Sequence, residues 1–155
     1  MTRSSKKIPT PAAISAVLSN ELTALKKVIT SGDGVDALDR DGRSALFQAV
    51  IDGRNEMVRL LLAAGAQARL HDKAGWTPLH FAAQACQPTI AAILLDGGAE
   101  VDAADESGNT PLARAAFESR GRGKVIAVLL ARGAAAIHAG ARGELLLPPD
   151  YAARR

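Results

Sequence analysis

The chain has 155 residues, 48% apolar and only 3% aromatic, with 19 basic and 16 acidic side chains. That is one domain's worth of chain with enough apolar residues to bury a core. The formal charge of +3 overstates the folded body, because Arg3, Lys6, Lys7, Arg154 and Arg155 lie near the ends and acidic residues outnumber basic ones between them. A nucleic-acid binder should carry its basic face on the folded surface, so nucleic acid is an unexpected partner.

Residues 1–11 are polar, basic and proline-containing, as expected of a flexible tail. Pro9 and Pro11, then Ser15 and Ser19, break up the short apolar run that follows, which argues against a secretory signal. No stretch has the length needed to span a bilayer. The expected location is the cytoplasm, with no membrane partner. From Ala12 the pattern turns helical, with Ile14, Val17 and Leu18 on one face. Asn20 is placed to cap a second helix, carrying Leu22, Leu25, Val28 and Ile29 and ending at Ser31-Gly32-Asp33-Gly34.

A repeat then takes over. Leu46, Leu79 and Leu112 close the triplets SAL, TPL and TPL, spaced by 33 residues. Upstream of each lies a glycine (Gly42, Gly75, Gly108) with an aspartate three places before it (Asp39, Asp72, Asp105). Downstream, Leu-Leu-x-x-Gly-Ala recurs at Leu61–Ala66, Leu94–Ala99 and Leu129–Ala134. A fixed period of this size marks a solenoid of stacked units rather than one globular core.

In the first copy Ser44 is the helix N-cap, with a hydroxyl able to accept a backbone N–H, and the helix is expected to end near Ile51 and Asp52-Gly53. In the second, Thr77 is the N-cap and Pro78 the first helical residue, where a missing N–H costs nothing. Cys86, the lone cysteine, reads as a small hydrophobe near a turn; it leaves no internal disulfide and no cysteine pair for structural zinc. In the third copy, Val125 lies 35 residues after Ile90, so two residues are inserted within Phe117–Lys124. The glycine-rich, basic SRGRGK segment there predicts a longer loop between helices. Residues 139–155, with Pro148 and Pro149, are expected to form a truncated C-terminal cap and tail.

With these residues in hand, the chain resembles the ankyrin repeat family, whose pattern is close to D-x-x-G-x-T-P-L-H-x-A-A. The resemblance is clearest over Asp39–Ala136. It implies an all-α solenoid of stacked helix-turn-helix units joined by short hairpin-like loops. It divides the chain into a capping repeat at 12–38, repeats at 39–71, 72–104 and 105–138, and the terminal segment. Ala45 and Phe47 stand where the family usually has Pro and His. It gives His80 a buried role beside the N-cap threonine, and the recurrent aspartates a role in the turns.

No catalytic set emerges. His71, His80 and His138 are too far apart in sequence for metal-ligand spacing. There is no phosphate-cradling glycine loop and no nucleophile elbow. The expectation is therefore a protein that is not an enzyme and needs no metal or cofactor, monomeric when free, that binds a partner protein. In stacked repeats variation gathers on hairpin tips and on the open side of the first helices. The resemblance carries contact roles to Arg40, Asp41, Arg43, Gln48, Ile51 and Asp52, then to Lys73, Trp76, Phe81, Gln84 and Ala85, then to Glu106, Asn109, Arg114, Phe117 and Glu118. Arg120 and Arg122 join them through the SRGRGK loop. Arg114, Arg120, Arg122, Lys124 and Arg132 make the third repeat locally basic, favouring an acidic partner there. Trp76, the only tryptophan, is expected to face solvent at a hairpin tip as the anchor of the interface, with Arg43 and Asn109 at the same register. A narrower expectation is an immunity protein that occludes a cognate bacterial toxin.

Overall fold

Each repeat begins with an aspartate that organises its own turn. A computed structural model of the chain describes residues 9–118 and 123–135. In it, Asp39 Oδ1 accepts the backbone N–H groups of Asp41 and Arg43 at 2.9 and 3.0 Å. Asp72 Oδ1 does the same for Ala74 and Trp76 at 2.9 and 3.0 Å, and Asp105 Oδ1 for Ser107 and Asn109 at 2.9 Å. This is the turn chemistry for which a short carboxylate side chain suits best. Gly42, Gly75 and Gly108 finish the turns at φ of 78°, 75° and 77°, a region in which a Cβ is disfavoured.

Among the described residues the chain forms eight helices: α1 (Ala12–Leu18), α2 (Leu22–Ser31), α3 (Ala45–Ile51), α4 (Asn55–Ala63), α5 (Pro78–Gln84), α6 (Pro88–Asp96), α7 (Pro111–Glu118) and α8 (Lys124–Ala131). Consecutive helices pair into hairpins. The first helices α1, α3, α5 and α7 pack in series as one layer, and α4, α6 and α8 as a second. Among the described residues no helix reaches the length and apolar content needed to cross a membrane.

The period-33 leucines explain the layers. Leu46 and Leu79 are fully buried and Leu112 nearly so, while Leu61, Leu94 and Leu129 fill the second layer. Burying a side chain of this size contributes about 1.5–3 kcal/mol. Ala45, Ala49, Ala82, Ala83, Ala91 and Ala115 are fully buried between helices, and their small volume permits the close approach.

Two polar seams join neighbouring units. Along the tips, the Lys73 N–H donates to the Asp41 carbonyl at 3.0 Å and the Glu106 N–H to the Ala74 carbonyl at 3.2 Å. Just beyond the ends of the second helices, Asp36 Oδ1 accepts the Gln67 N–H and Asp102 Oδ1 the Ala135 N–H, both at 3.0 Å. Arg69 Nε donates to the Gly98 carbonyl at 2.9 Å in the same seam.

Two local expectations are corrected. Asn20 does not cap α2; Glu21 takes that place. Asn20 instead adopts a left-handed φ of 56°, as do Gly53 at 67° and Cys86 at 53°, each 33 residues apart. All three reverse the chain between the helices of a hairpin. Ser44 is the N-cap residue of α3, yet its fully buried Oγ has no hydrogen-bond partner. The inserted loop falls between α7 and α8, and its residues 119–122 lie outside the described residues, as do 136–155.

Candidate protein-binding surface

His80 links the second repeat to the third. The Thr77 backbone N–H donates to His80 Nδ1 at 3.1 Å, and the Thr77 hydroxyl lies 2.9 Å from the same nitrogen. A backbone N–H can only donate, so Nδ1 is the acceptor and the ring proton sits on Nε2. Nε2 then donates to the Asn109 carbonyl at 2.9 Å. Burial pushes the imidazole pKa down, against the Asn109 bond and the charges of Asp105 and Asp72 that raise it. A neutral, fully enclosed ring with both nitrogens engaged is a structural strut. Among the described residues no three His, Cys, Asp or Glu side chains gather as a metal site requires.

Over this strut runs a stack of four predicted contact residues. The Arg43 guanidinium lies 4.9 Å from the Phe81 ring centroid, Phe81 lies 4.8 Å from Trp76, and the Arg114 guanidinium lies 4.5 Å from Trp76. Phe47 meets Phe81 edge-on at 6.1 Å. Each guanidinium is held by an aspartate of a turn. Arg43 Nε donates to Asp72 Oδ2 at 3.0 Å, and Arg114 donates from Nε at 3.1 Å and from Nη2 to Asp105 Oδ2. The two carboxylates are almost fully buried, at 2% and 0% side-chain exposure. On Asp105 burial raises the pKa, but the Arg114 bonds and the Asn109 and Ser107 N–H groups outweigh it and leave the carboxyl below its ordinary value. Trp76 is therefore half-buried within a stack, not free at a tip. The expectation of a solvent-facing tryptophan is corrected, since the ring spans the gap to the Arg114 side chain of the next repeat.

The remaining predicted residues divide by place. Arg40, Asp41, Lys73 and Glu106 are exposed on the tips, and Asn109 is half-buried at the base of the third. Gln48 Nε2 donates to Asp52 Oδ1 at 2.9 Å, which ties the middle of α3 to its C-cap residue. Ile51 and Phe117 are exposed at 38% and 78%, with half-buried Gln84 between them in register and exposed Ala85 beside it. Leu18, 53% exposed, occupies this same register on α1 and was missed by the sequence reading; counting back 33 residues from Ile51 finds it. The row Leu18–Ile51–Gln84–Phe117 thus marks the C-terminal ends of four successive first helices.

The basic character expected of the third repeat is reduced. Arg114 is bound to Asp105, and Arg132 Nη1 donates to Asp96 Oδ1 at 2.6 Å. Arg120 and Arg122 lie outside the described residues, and Glu118 closes α7.

A family model described as ankyrin repeats (3 copies) matches residues 13–105 and 65–139. The chain belongs to the ankyrin repeat family. Among curated ankyrin relatives, the Notch-regulated ankyrin repeat-containing proteins of zebrafish (Danio rerio, protein B) and Homo sapiens are each 41% identical to it over 66 residues. Those matches cover 42% of this chain and 60% and 58% of the relatives. The match thus spans less than two thirds of those relatives' length. The potassium channel AKT1 of Oryza sativa is also 41% identical, over 69 residues that make up 44% of this chain and 7% of the channel. Ankyrin repeats generally mediate protein–protein interaction, and the same motif serving in such different proteins fits a shared binding scaffold. None of these relatives is named for toxin immunity, and that narrower expectation has no support among them.

Proposed function

We propose that this ankyrin chain is a non-enzymatic module that binds a partner protein along the face shared by the hairpin tips and the first helices. The observation that carries the reading is the register-matched row of Leu18, Ile51 and Phe117, three large apolar side chains left outside the core. Scattered single hydrophobics need no explanation, but three that recur at one register of successive first helices, interrupted by the half-buried Gln84, mark out a single face for a partner. Beside the row, the Arg43–Phe81–Trp76–Arg114 stack supplies the residue types that dominate binding hot spots, already held rigid. Arg40, Asp41, Lys73 and Glu106 on the tips form a charged rim.

The test is affinity capture from the native host with the parent and with an Ile51→Glu/Phe117→Glu variant. Both positions are exposed, so the variant should keep the parent's helical content and melting temperature. A partner retained by the parent and lost by the variant supports the surface. Equal recovery of the same proteins by both would remove this face from the binding site.

A further inference from the structure

Asp72 and Asp105 each spend one carboxylate oxygen on their own turn and the other on a guanidinium. Asp39 builds the same turn with Oδ1, but among the described residues its Oδ2 takes no side-chain partner. The repeat register explains the difference. This fold delivers a guanidinium from two places: the last tip residue of the preceding repeat, as Arg43 does for Asp72, or the first helix of the same repeat, as Arg114 does for Asp105. For Asp39 the equivalent positions are Thr10 and Gln48. Neither is cationic, and the Gln48 amide is turned to Asp52.

Thr10, Gln48 and Asp39 all line a recess of about 520 Å³ at the first-repeat end of the array, whose other walls include Pro11, Ile14 and Leu18 and the tip residues Arg40 and Asp41, so that its lining carries two carboxylates against one resident guanidinium. We propose that this recess is an arginine socket, in which Asp39 Oδ2 accepts the guanidinium of an arginine from a separate polypeptide. The aliphatic stem lies along Pro11, Ile14 and Leu18, as long cationic side chains do on apolar surface. Arginine rather than lysine is specified by the chain's own precedent. Arg114 reaches Asp105 through two nitrogens of one planar fork, a geometry an ammonium does not offer. Leu18 belongs both to the recess and to the exposed apolar row, so the socket is continuous with the surface described above. The inference rests on the reading that this surface binds a protein, and places one anchor of the contact at its end.

The test is an NMR titration of the isotope-labelled full chain with acetyl-arginine-N-methylamide, and in parallel with its lysine counterpart. Saturable shifts are expected at the amides of Thr10, Gln48 and residues 39–43, with the lysine probe clearly weaker. Asp39→Asn keeps an oxygen for the turn and removes the charge; it should weaken the arginine probe by about tenfold, the scale of a charge-assisted pair. Thr10→Arg places a guanidinium at the register of Arg43; it should abolish probe binding and raise the melting temperature. Equal affinity of parent and Asp39→Asn, or equal affinity for the two probes, would overturn the socket. So would binding that appears only in an Arg3→Gln variant, because the site would then belong to the chain's own N-terminus. Failure of the Ile51→Glu/Phe117→Glu capture experiment would leave this titration unchanged, so the two readings fail separately.

Discussion

Arg114 covers the face of Trp76 at 4.5 Å while gripping Asp105, so one side chain ties the second repeat's tip to the third repeat's turn. One step earlier the roles are exchanged: Arg43 is the tip residue, and Phe81 the helix residue it covers, at 4.9 Å. In both steps a tip residue of one repeat stacks on a first-helix residue of the next, with cation and ring swapped.

This relationship makes Trp76 a stability residue as well as a proposed contact residue. Trp76→Ala is expected to cost about 2 kcal/mol, below the range for a fully buried aromatic because the ring is half-buried. Arg114→Ala should cost a similar amount, about 2–3 kcal/mol, since it strands a buried carboxylate. A double-mutant cycle by urea denaturation should give a coupling of about 0.5–1 kcal/mol, as expected for a partly desolvated cation–π pair. Strict additivity would mean the stack contributes nothing as a unit.

The tips separate two glycines that look alike in sequence. A Cβ on Gly75 would lie 2.7 Å from the Glu106 nitrogen, whereas among the described residues nothing lies within 4 Å of one on Gly108. Both share a left-handed φ, so each alanine substitution carries the backbone cost of about 1–2 kcal/mol. Only Gly75→Ala must also push neighbouring tips apart. Its melting temperature should fall clearly below that of Gly108→Ala; equal values would show that the tip seam is slack.

Cys86 carries a removable strain. It holds φ of 53° at the register where Gly53 holds 67°. Cys86→Gly should stabilise the chain by about 0.5–1 kcal/mol, the relief of a left-handed side chain less the added freedom of the unfolded backbone. Thermal unfolding under reducing conditions checks this, and a lower melting temperature would contradict it.

Acid should loosen the joint at His80. Its pKa is lower in the folded chain than in the unfolded one, chiefly through burial, with Asp105, Asp72 and Arg114 facing it. The unfolded chain therefore binds the extra proton first, so stability is complete above the ordinary histidine value of about 6.5 and declines as pH falls from there toward the folded value. Asp105, also lowered, adds a loss of the same sign at more acidic pH, beginning around the ordinary carboxyl range. A His80→Phe variant, which copies the Phe47 found at the equivalent place, should lose the histidine phase of this decline while keeping the carboxyl phase. An unchanged profile in that variant would assign the decline to other groups.

The stacking order was legible because period, turn aspartates and glycines all point to the same architecture. His80 was legible for the same reason: a TPLH motif fixes both its neighbours and its burial. Four members of the candidate site, Arg43, Phe81, Trp76 and Arg114, were each named, but not their mutual contact. That contact joins residues 38 positions apart in sequence, from tip to following helix, and depends on side-chain direction rather than on register alone. Ser44 misled because a hydroxyl at an N-cap usually finds a donor; here it is enclosed without one. Asn20 misled because a residue common at helix starts is also tolerated in left-handed turns.

The seam between tips is made by main-chain atoms, Lys73 N to Asp41 O and Glu106 N to Ala74 O. Cohesion there does not consult the identities of residues 40, 41, 73, 74, 106 or 107. Those letters can be rewritten one by one while the scaffold stands, which gives a lineage of such chains freedom to change its clientele without first inventing a new body.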